Sequence, residues 1–318
     1  MSDPQRKPRL AVLAPSPVLT VTIEAGDEQG PEIHYHAGGQ GVWVARMAGE
    51  LGAEVVLCIA LAGEAGQVLG SLLDGGGVEV RSVAGHGRSG SYVHDRRSGE
   101  RVEIAAAEGP RLWRHETDEL YGVMLAAGLD AGVALLTGPQ PPEALDSEVY
   151  RRLASDLRAN GTIVLVDLTG PALSGALEGG VDLLKISDEE LIAEGLSPTP
   201  GRDHLLAAIA ELGRRGARAI VVSRADRPAL ALVEGRLLEL AGPRLEPSDP
   251  IGTGDSMFAA IGVGLARGRS LIDALRLGVA AGALNATRRG LGTGHQDEIE
   301  RLLAHVEASE LEAGAGEP

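Results

Sequence analysis

The chain has 318 residues, enough for one large domain or two smaller ones, and its 44% hydrophobic content is ordinary for a globular core. A formal net charge of −16 repels nucleic acid and anionic membrane, and 2% aromatic residues leave little for base-stacking platforms. A single cysteine, Cys58, excludes an internal disulfide, and no apolar run reaches the roughly 18 residues of a spanning helix. The first residues are polar, without a signal-peptide apolar stretch, so the expected setting is soluble and cytoplasmic. Lysine occurs only at Lys7 and Lys185, which makes Lys185 conspicuous inside an arginine-rich chain.

Residues 10–14 form an apolar run ended by Pro15-Ser16-Pro17, which predicts a buried first strand. Alternation over 19–24 and 32–36, around a polar turn at 26–31, predicts a hairpin with one polar face. His34 and His36 share a face there; without a third ligand they read as lid or surface residues rather than a metal pair. Ala37-Gly38-Gly39-Gln40-Gly41 leads into a helix over 42–51 that stops at Gly52, followed by a strand over 55–61 that buries Cys58. That succession is the rhythm of a parallel α/β unit. Gly38 and Gly39 open an anion or sugar site at this helix start, or serve only the tight turn.

Segments 91–95 and 101–105, joined by Arg96-Arg97-Ser98-Gly99, predict a second hairpin. Strands then fall at 133–137, 162–167, 183–186 and 219–223, with helices at 149–159, 188–193 and 204–214. A hairpin over 229–234 and 236–240 precedes helices at 271–284 and 297–307. Unbroken alternation predicts a doubly wound, mostly parallel sheet flanked by helices in a single α/β domain spanning 8–310. The hairpins near 19–36 and 88–105 stand apart from this alternation, and residues 1–7 and 313–318 are expected to fray.

The chain is organised around Asp249-Pro250-Ile251-Gly252-Thr253-Gly254-Asp255-Ser256, which opens an apolar helix. A helix start leaves backbone N–H groups unpaired and carries partial positive charge, so it seats anions. Gly252 and Gly254 let that backbone approach a ligand closely, and Asp255 falls in the first turn beside it. Amides facing phosphate with one carboxylate alongside suit phosphoryl transfer to a hydroxyl: the amides hold the growing charge and Asp255 takes the proton. The plainer alternative is a loop and an acidic helix start, which the helix dipole favours anyway. No Gly-Lys-Ser or Gly-Lys-Thr occurs, so this is not a Walker-type loop.

Asp249-Pro250-x-Gly252-x-Gly254-Asp255-Ser256 resembles the second signature of the PfkB (ribokinase-like) carbohydrate kinases, most of all their fructose-phosphate and tagatose-phosphate kinase branch. The resemblance runs from Leu10 to Val306, and Gly38-Gly39 resembles the first signature, where the pair lies against the sugar phosphate. It implies a ribokinase-like fold in which the hairpins near 19–36 and 88–105 make a small β-sheet lid over the sugar, with ATP and Mg²⁺ bound and a homodimer made through that lid. By resemblance Arg88 is the phosphate-binding arginine, Lys185 and Ser223 meet the nucleotide with Gly254, and Glu190 with Ser187 organises Mg²⁺. Gly278-Val279-Ala280-Ala281-Gly282 is similar to the helix near the nucleotide base, and residues 137–142 to the Ser-Gly-Ser-Leu-Pro-Pro loop. Val166-Asp167-Leu168 is similar to the mid-sheet strand.

Departures cluster at the substrate and nucleotide edges. Thr20 stands where the family keeps a sugar-binding aspartate, Trp43 where it keeps asparagine, Gln40 for a common lysine and Ser187 for asparagine. Arg224-Ala225-Asp226-Arg227-Pro228 replaces a glycine-rich nucleotide loop, and its proline removes one N–H donor. The leading expectation is an ATP-dependent kinase for a sugar or sugar phosphate, with Gly252, Thr253, Gly254 and Asp255 catalytic and Gly38, Gly39, Arg88, Thr20 and Trp43 around the acceptor. A nucleoside or other small alcohol as acceptor, and a non-catalytic binder of sugar or nucleotide, stand as alternatives.

Overall fold

The computed structural model describes residues 7–27, 30–74, 76–248, 251–288, 292 and 294–311. Asp249 and Pro250 of the central motif, Glu28 and Gln29 of the first turn, and the termini at 1–6 and 313–318 lie outside the described residues. In chain order the first half comprises β1 (Arg9–Ala14), β2 (Val18–Glu24), β3 (Glu32–Gly38), α1 (Gln40–Glu50), β4 (Glu54–Leu61), α2 (Gly63–Leu73), β5 (Glu79–Ala84), β6 (Gly90–Asp95), β7 (Val102–Ala107) and α3 (Arg114–Ala131). The second half comprises β8 (Val133–Thr137), α4 (Ser147–Ala159), β9 (Ile163–Asp167), α5 (Gly170–Gly179), β10 (Leu183–Ser187), α6 (Asp188–Ala193), α7 (Arg202–Arg214) and β11 (Ile220–Arg224). β12 (Arg227–Val233), β13 (Arg236–Ala241), α8 (Thr253–Ala266), α9 (Leu271–Ala286), α10 (Gln296–Leu303) and β14 (Glu307–Glu310) complete it.

Among the described residues ten strands form one sheet in the order β14-β13-β12-β11-β10-β9-β8-β1-β4-β5. β11 through β5 in that order are parallel, and β12, β13 and β14 close one edge antiparallel. The inner strands are buried on both faces, which is why β1 reads as a continuous apolar run rather than an alternation. Leu10 and Val12 join the core under Phe258, Ile261, Leu275 and Met47 on one side. Ala11 and Leu13 join Leu120, Met124, Tyr150 and Leu153 on the other. Leu13 is fully buried, and truncation to alanine there costs about 2–5 kcal/mol.

β3-β2-β6-β7 form a separate four-stranded sheet in which the two predicted hairpins meet through a parallel β2–β6 pairing. Its two faces differ. Thr20, Thr22 and His94 are buried on one, while Ile33, Tyr35, Val102 and Ile104 are each more than half exposed.

Two departures from expectation have physical causes. The predicted helix over 297–307 ends at Leu303, and Glu307–Glu310 pairs along the outer edge of β13. Those four residues are exposed and carry no apolar pattern, so only the neighbouring edge makes them a strand. α2 was not anticipated because Gly63, Gly66 and Gly70 weaken helix propensity by roughly 0.5–1 kcal/mol each. Gly66 has a packing reason: a Cβ there would stand 3.1 Å from the Leu61 carbonyl carbon and 3.2 Å from Ser89 Oγ.

Candidate active site

Doubly wound sheets place ligands outside the carboxyl ends of their parallel strands. There β9 ends in Asp167, β10 in Ser187, β8 in Thr137, and α8 begins at Thr253. Gly252 is the N-cap of α8 with φ 76 and ψ 5, a left-handed conformation that glycine adopts without strain. The Ser256 amide donates to the Gly252 carbonyl at 2.9 Å, so the helical ladder starts at once and Asp255 falls in the first turn as expected.

Lys185 reaches this helix start from below. A Cβ on Gly254 would lie 2.7 Å from Lys185 Nζ, so only glycine leaves room for the ammonium beneath the amides. Lys185 Nζ also donates to Asp167 Oδ2 at 2.9 Å, and both residues are 5% exposed or less. Burial opposes the lysine's charge, but Asp167, Glu190 and Asp255 outweigh it and hold Lys185 above the ordinary lysine range. Burial raises Asp167 as well, against the pull of Lys185. Three carboxylates share one cation, and the surplus falls on Asp255. Burial, with Asp167 and Glu190 adding to it and Lys185 opposing, pushes the Asp255 carboxyl up to about 7.

Ser187 and Glu190 form a capping box at the start of α6. Ser187 Oγ accepts from the Glu190 amide at 3.1 Å, and the Ser187 amide and hydroxyl donate to Glu190 Oε2 at 2.7 and 2.8 Å. No group of three or more His, Cys, Asp or Glu side chains among the described residues is arranged to hold a metal. Ser223 stands beside Ser187 in register, at the end of the neighbouring parallel strand. Gly278 and Gly282 serve helix packing: a Cβ would meet Ile261 Cγ1 at 2.6 Å and the Thr253 carbonyl at 3.2 Å. They face α8. The loop after Ser223 is a tight turn with Ala225 at φ 48, and Arg227 pairs with buried Asp188 at 2.8 Å.

On the lid side, Gly38, Thr20 and Trp43 come together. A Cβ on Gly38 would lie 2.8 Å from Thr20 Oγ1 and 3.3 Å from Trp43 Cζ2, while Gly39 takes φ 100 against the Ser16 carbonyl. The indole therefore flanks the glycine pair instead of turning into the core. Thr20 Oγ1 and His94 Nδ1 are buried without a hydrogen-bond partner. Arg88 is exposed, and sheet register places it near this group: Gly38, Val18 and Gly90 lie in one row at the lid's base. His34 pairs with Glu32 at 3.2 Å and stacks on His36.

Three residues join the two halves, and nothing local in the chain signals their roles. Gln40 accepts from the Gly138 amide at 3.0 Å, and its side chain helps to lower the Asp167 carboxyl, linking α1 to the buried carboxylate. Asn285 donates to the Ile251 carbonyl at 3.0 Å and accepts from the Gly292 amide at 3.2 Å, tying α9 to the central loop. Asp167 stood in the sequence as part of a strand; its partnership with Lys185 needs the β9–β10 register.

A mainly parallel sheet with its charged site at the strand ends, and a separate small sheet beside it, defines a ribokinase-like α/β phosphotransferase fold. The chain superposes on the ribokinase of Arabidopsis thaliana complexed with ribose and ATP at a TM-score of 0.72 and 21% identity, covering 94% of this chain and 99% of that one. The sequence pattern of the pfkB family carbohydrate kinases matches residues 18–298, and the chain belongs to that family of enzymes. It is 31% identical over 309 residues to the ATP-dependent 6-phosphofructokinase isozyme 2 of Mycobacterium tuberculosis, covering 93% of this chain and 89% of the relative. Phosphofructokinase-2 from Escherichia coli in complex with potassium matches at a TM-score of 0.81 and 26% identity, over 94% of this chain and 98% of that one. No helix among the described residues is long and apolar enough to cross a membrane.

Proposed function

We propose that this carbohydrate kinase transfers the γ-phosphoryl group of ATP to a hydroxyl of a sugar phosphate, in the manner of a phosphofructokinase. The observation that carries the reading is Asp255, whose carboxyl sits near pKa 7 beside Lys185 at an anion-seating helix start. A base with a pKa near the working pH is half ionised there and still strong enough to take a proton. As the acceptor oxygen forms its bond to the γ-phosphorus, its proton passes to Asp255 and the bond to the β-phosphate oxygen breaks, releasing ADP. Charge on the moving group falls on the amides of Gly252, Thr253, Gly254 and Asp255, with the Lys185 ammonium beneath them.

Ser223 borders the nucleotide side. Gly38, Gly39, Thr20 and Trp43 line the acceptor side, where Arg88 pairs with the acceptor's own phosphate. The hard carboxylate oxygens of Glu190 and Asp167 fit Mg²⁺, which binds through one or two carboxylates and keeps several waters. When bound, Mg²⁺ supplies charge neutralisation across the phosphates. Ser187 holds Glu190 in place through the capping box. The exposed apolar residues Ile33, Tyr35, Val102 and Ile104 of the lid support a homodimer formed lid to lid.

The test is ADP release from Mg²⁺-ATP across fructose 6-phosphate, fructose 1-phosphate, tagatose 6-phosphate, free sugars and nucleosides, run beside Asp255→Asn. Turnover with a sugar phosphate, lost in the variant, is the expected result. Equal turnover with free sugars and sugar phosphates would remove the phosphate-recognition part. An unchanged rate in Asp255→Asn would remove the base.

A further inference from the structure

Arg88 closes the short loop Gly85-His86-Gly87-Arg88, and an exposed arginine side chain has many orientations to lose on binding. One end of the loop is fixed by Ser89, whose Oγ accepts from the Ala62 amide at 3.0 Å and whose own amide donates to the Ala62 carbonyl at 2.9 Å. The other end is fixed by Glu116, which is 2% exposed in the first turn of α3. Its Oε1 accepts from the His86 amide at 2.7 Å, and its Oε2 accepts from His86 Nδ1 at 2.9 Å and from the Trp113 amide at 2.6 Å. The His86 ring also stacks on Trp113, with centroids 3.9 Å apart.

A carboxylate that only capped the helix would need the Trp113 amide and nothing more. Here the same group holds the loop through both backbone and side chain of His86. Burial alone would raise the Glu116 carboxyl; its N–H donors outweigh that and hold it below the usual range, so it stays ionised.

We propose that Glu116 and His86 are positioning residues for sugar-phosphate recognition: they hold the Gly85–Arg88 loop so that the Arg88 guanidinium faces the acceptor's phosphate. Neither touches the substrate. The proposal rests on the assignment of Arg88 made above, and it locates acceptor affinity in a carboxylate 28 residues further along the chain.

The experiment is steady-state kinetics on full-length His86→Ala, Glu116→Gln, Arg88→Ala and the double variant His86→Ala with Arg88→Ala. The varied substrate is the sugar phosphate that the wild type turns over best. His86→Ala is expected to raise the acceptor KM about tenfold, the cost of a lost charge-assisted hydrogen bond, while kcat and the KM for ATP stay put. Glu116→Gln keeps an acceptor for the amides and is expected to fall between wild type and His86→Ala; if it does not fold, His86→Ala carries the test. In the Arg88→Ala background, His86→Ala is expected to add nothing, because it acts through Arg88. Full multiplication of the two effects, or parallel losses in kcat and both KM values, overturns the proposal. If Arg88→Ala raises the acceptor KM and His86→Ala is silent, positioning fails and the role of Arg88 stands. If Arg88→Ala is itself silent, both fall together.

Discussion

The floor of the site and its lid solve opposite problems. On the floor, Asp167, Lys185, Glu190 and Asp255 come from different elements and are locked together by charge, and Lys185 and Glu190 have hydrogen-bond partners within the protein. On the lid's buried face, Thr20 Oγ1 and His94 Nδ1 lack partners, and its other face exposes Ile33, Tyr35, Val102 and Ile104. Catalysis by preorganised dipoles and charges gains most where nothing needs to rearrange during the reaction. Specificity gains most where polar groups stay unpaired until the right ligand arrives. The difference teaches that damage to the floor is to be read in turnover and stability, and damage to the lid in affinity and assembly.

The sharpest test of that division is Asp255→Asn, expected to lower kcat by roughly 10²–10⁴-fold while calorimetry still detects sugar phosphate and nucleotide. The wild-type rate is expected to rise with pH through about 7, as Asp255 loses its proton. Stability runs the other way. A carboxyl raised in the folded state binds its proton more tightly there than in the unfolded chain, so its contribution falls as pH climbs from the ordinary aspartate range to about 7. Urea unfolding of Asp255→Asn against wild type should therefore show the variant gaining relative stability over that window. A constant difference would mean the carboxyl is not raised.

Lys185→Met comes next. It strands Asp167 and its neighbours without their cation, and urea denaturation is expected to show a loss of about 3–5 kcal/mol together with loss of turnover. A variant as stable as wild type would show the floor is not held by charge.

Smaller effects belong to the lid. Thr20→Val keeps the shape and removes the unpaired hydroxyl, so the acceptor KM should rise roughly two- to tenfold with thermal stability unchanged or slightly higher. A fall in kcat with no change in KM would place Thr20 on the wrong side of the comparison. Tyr35→Glu, on the exposed face, should shift sedimentation from dimer to monomer with little effect on the melting temperature of the monomer. An unmoved assembly state would separate the lid from dimer contact.

Much of this architecture was legible in the chain. Continuous apolar runs such as 133–137 and 162–167 were buried parallel strands, and the glycine turn at 38–41 opened a helix. The position of Asp255 in the first helical turn followed from the glycines before it. α3 and β5 carried no expectation, and the partners of Lys185 were not named because they lie far from it in sequence. The Glu116–His86 clamp was missed for the same reason: its two ends are 30 positions apart.

Periodicity, turn chemistry and the anion-seating motif could be read from the chain alone, since each is written in side chains within a few positions of one another. Rarity also singled out Lys185. Tertiary contacts alone put this lysine between Asp167 and the Gly254 backbone and set Trp43 against Gly38. The physical reason is that pKa values, unpaired polar atoms and close backbone approaches are properties of a surrounding volume, and strand register alone brings the members of that volume together.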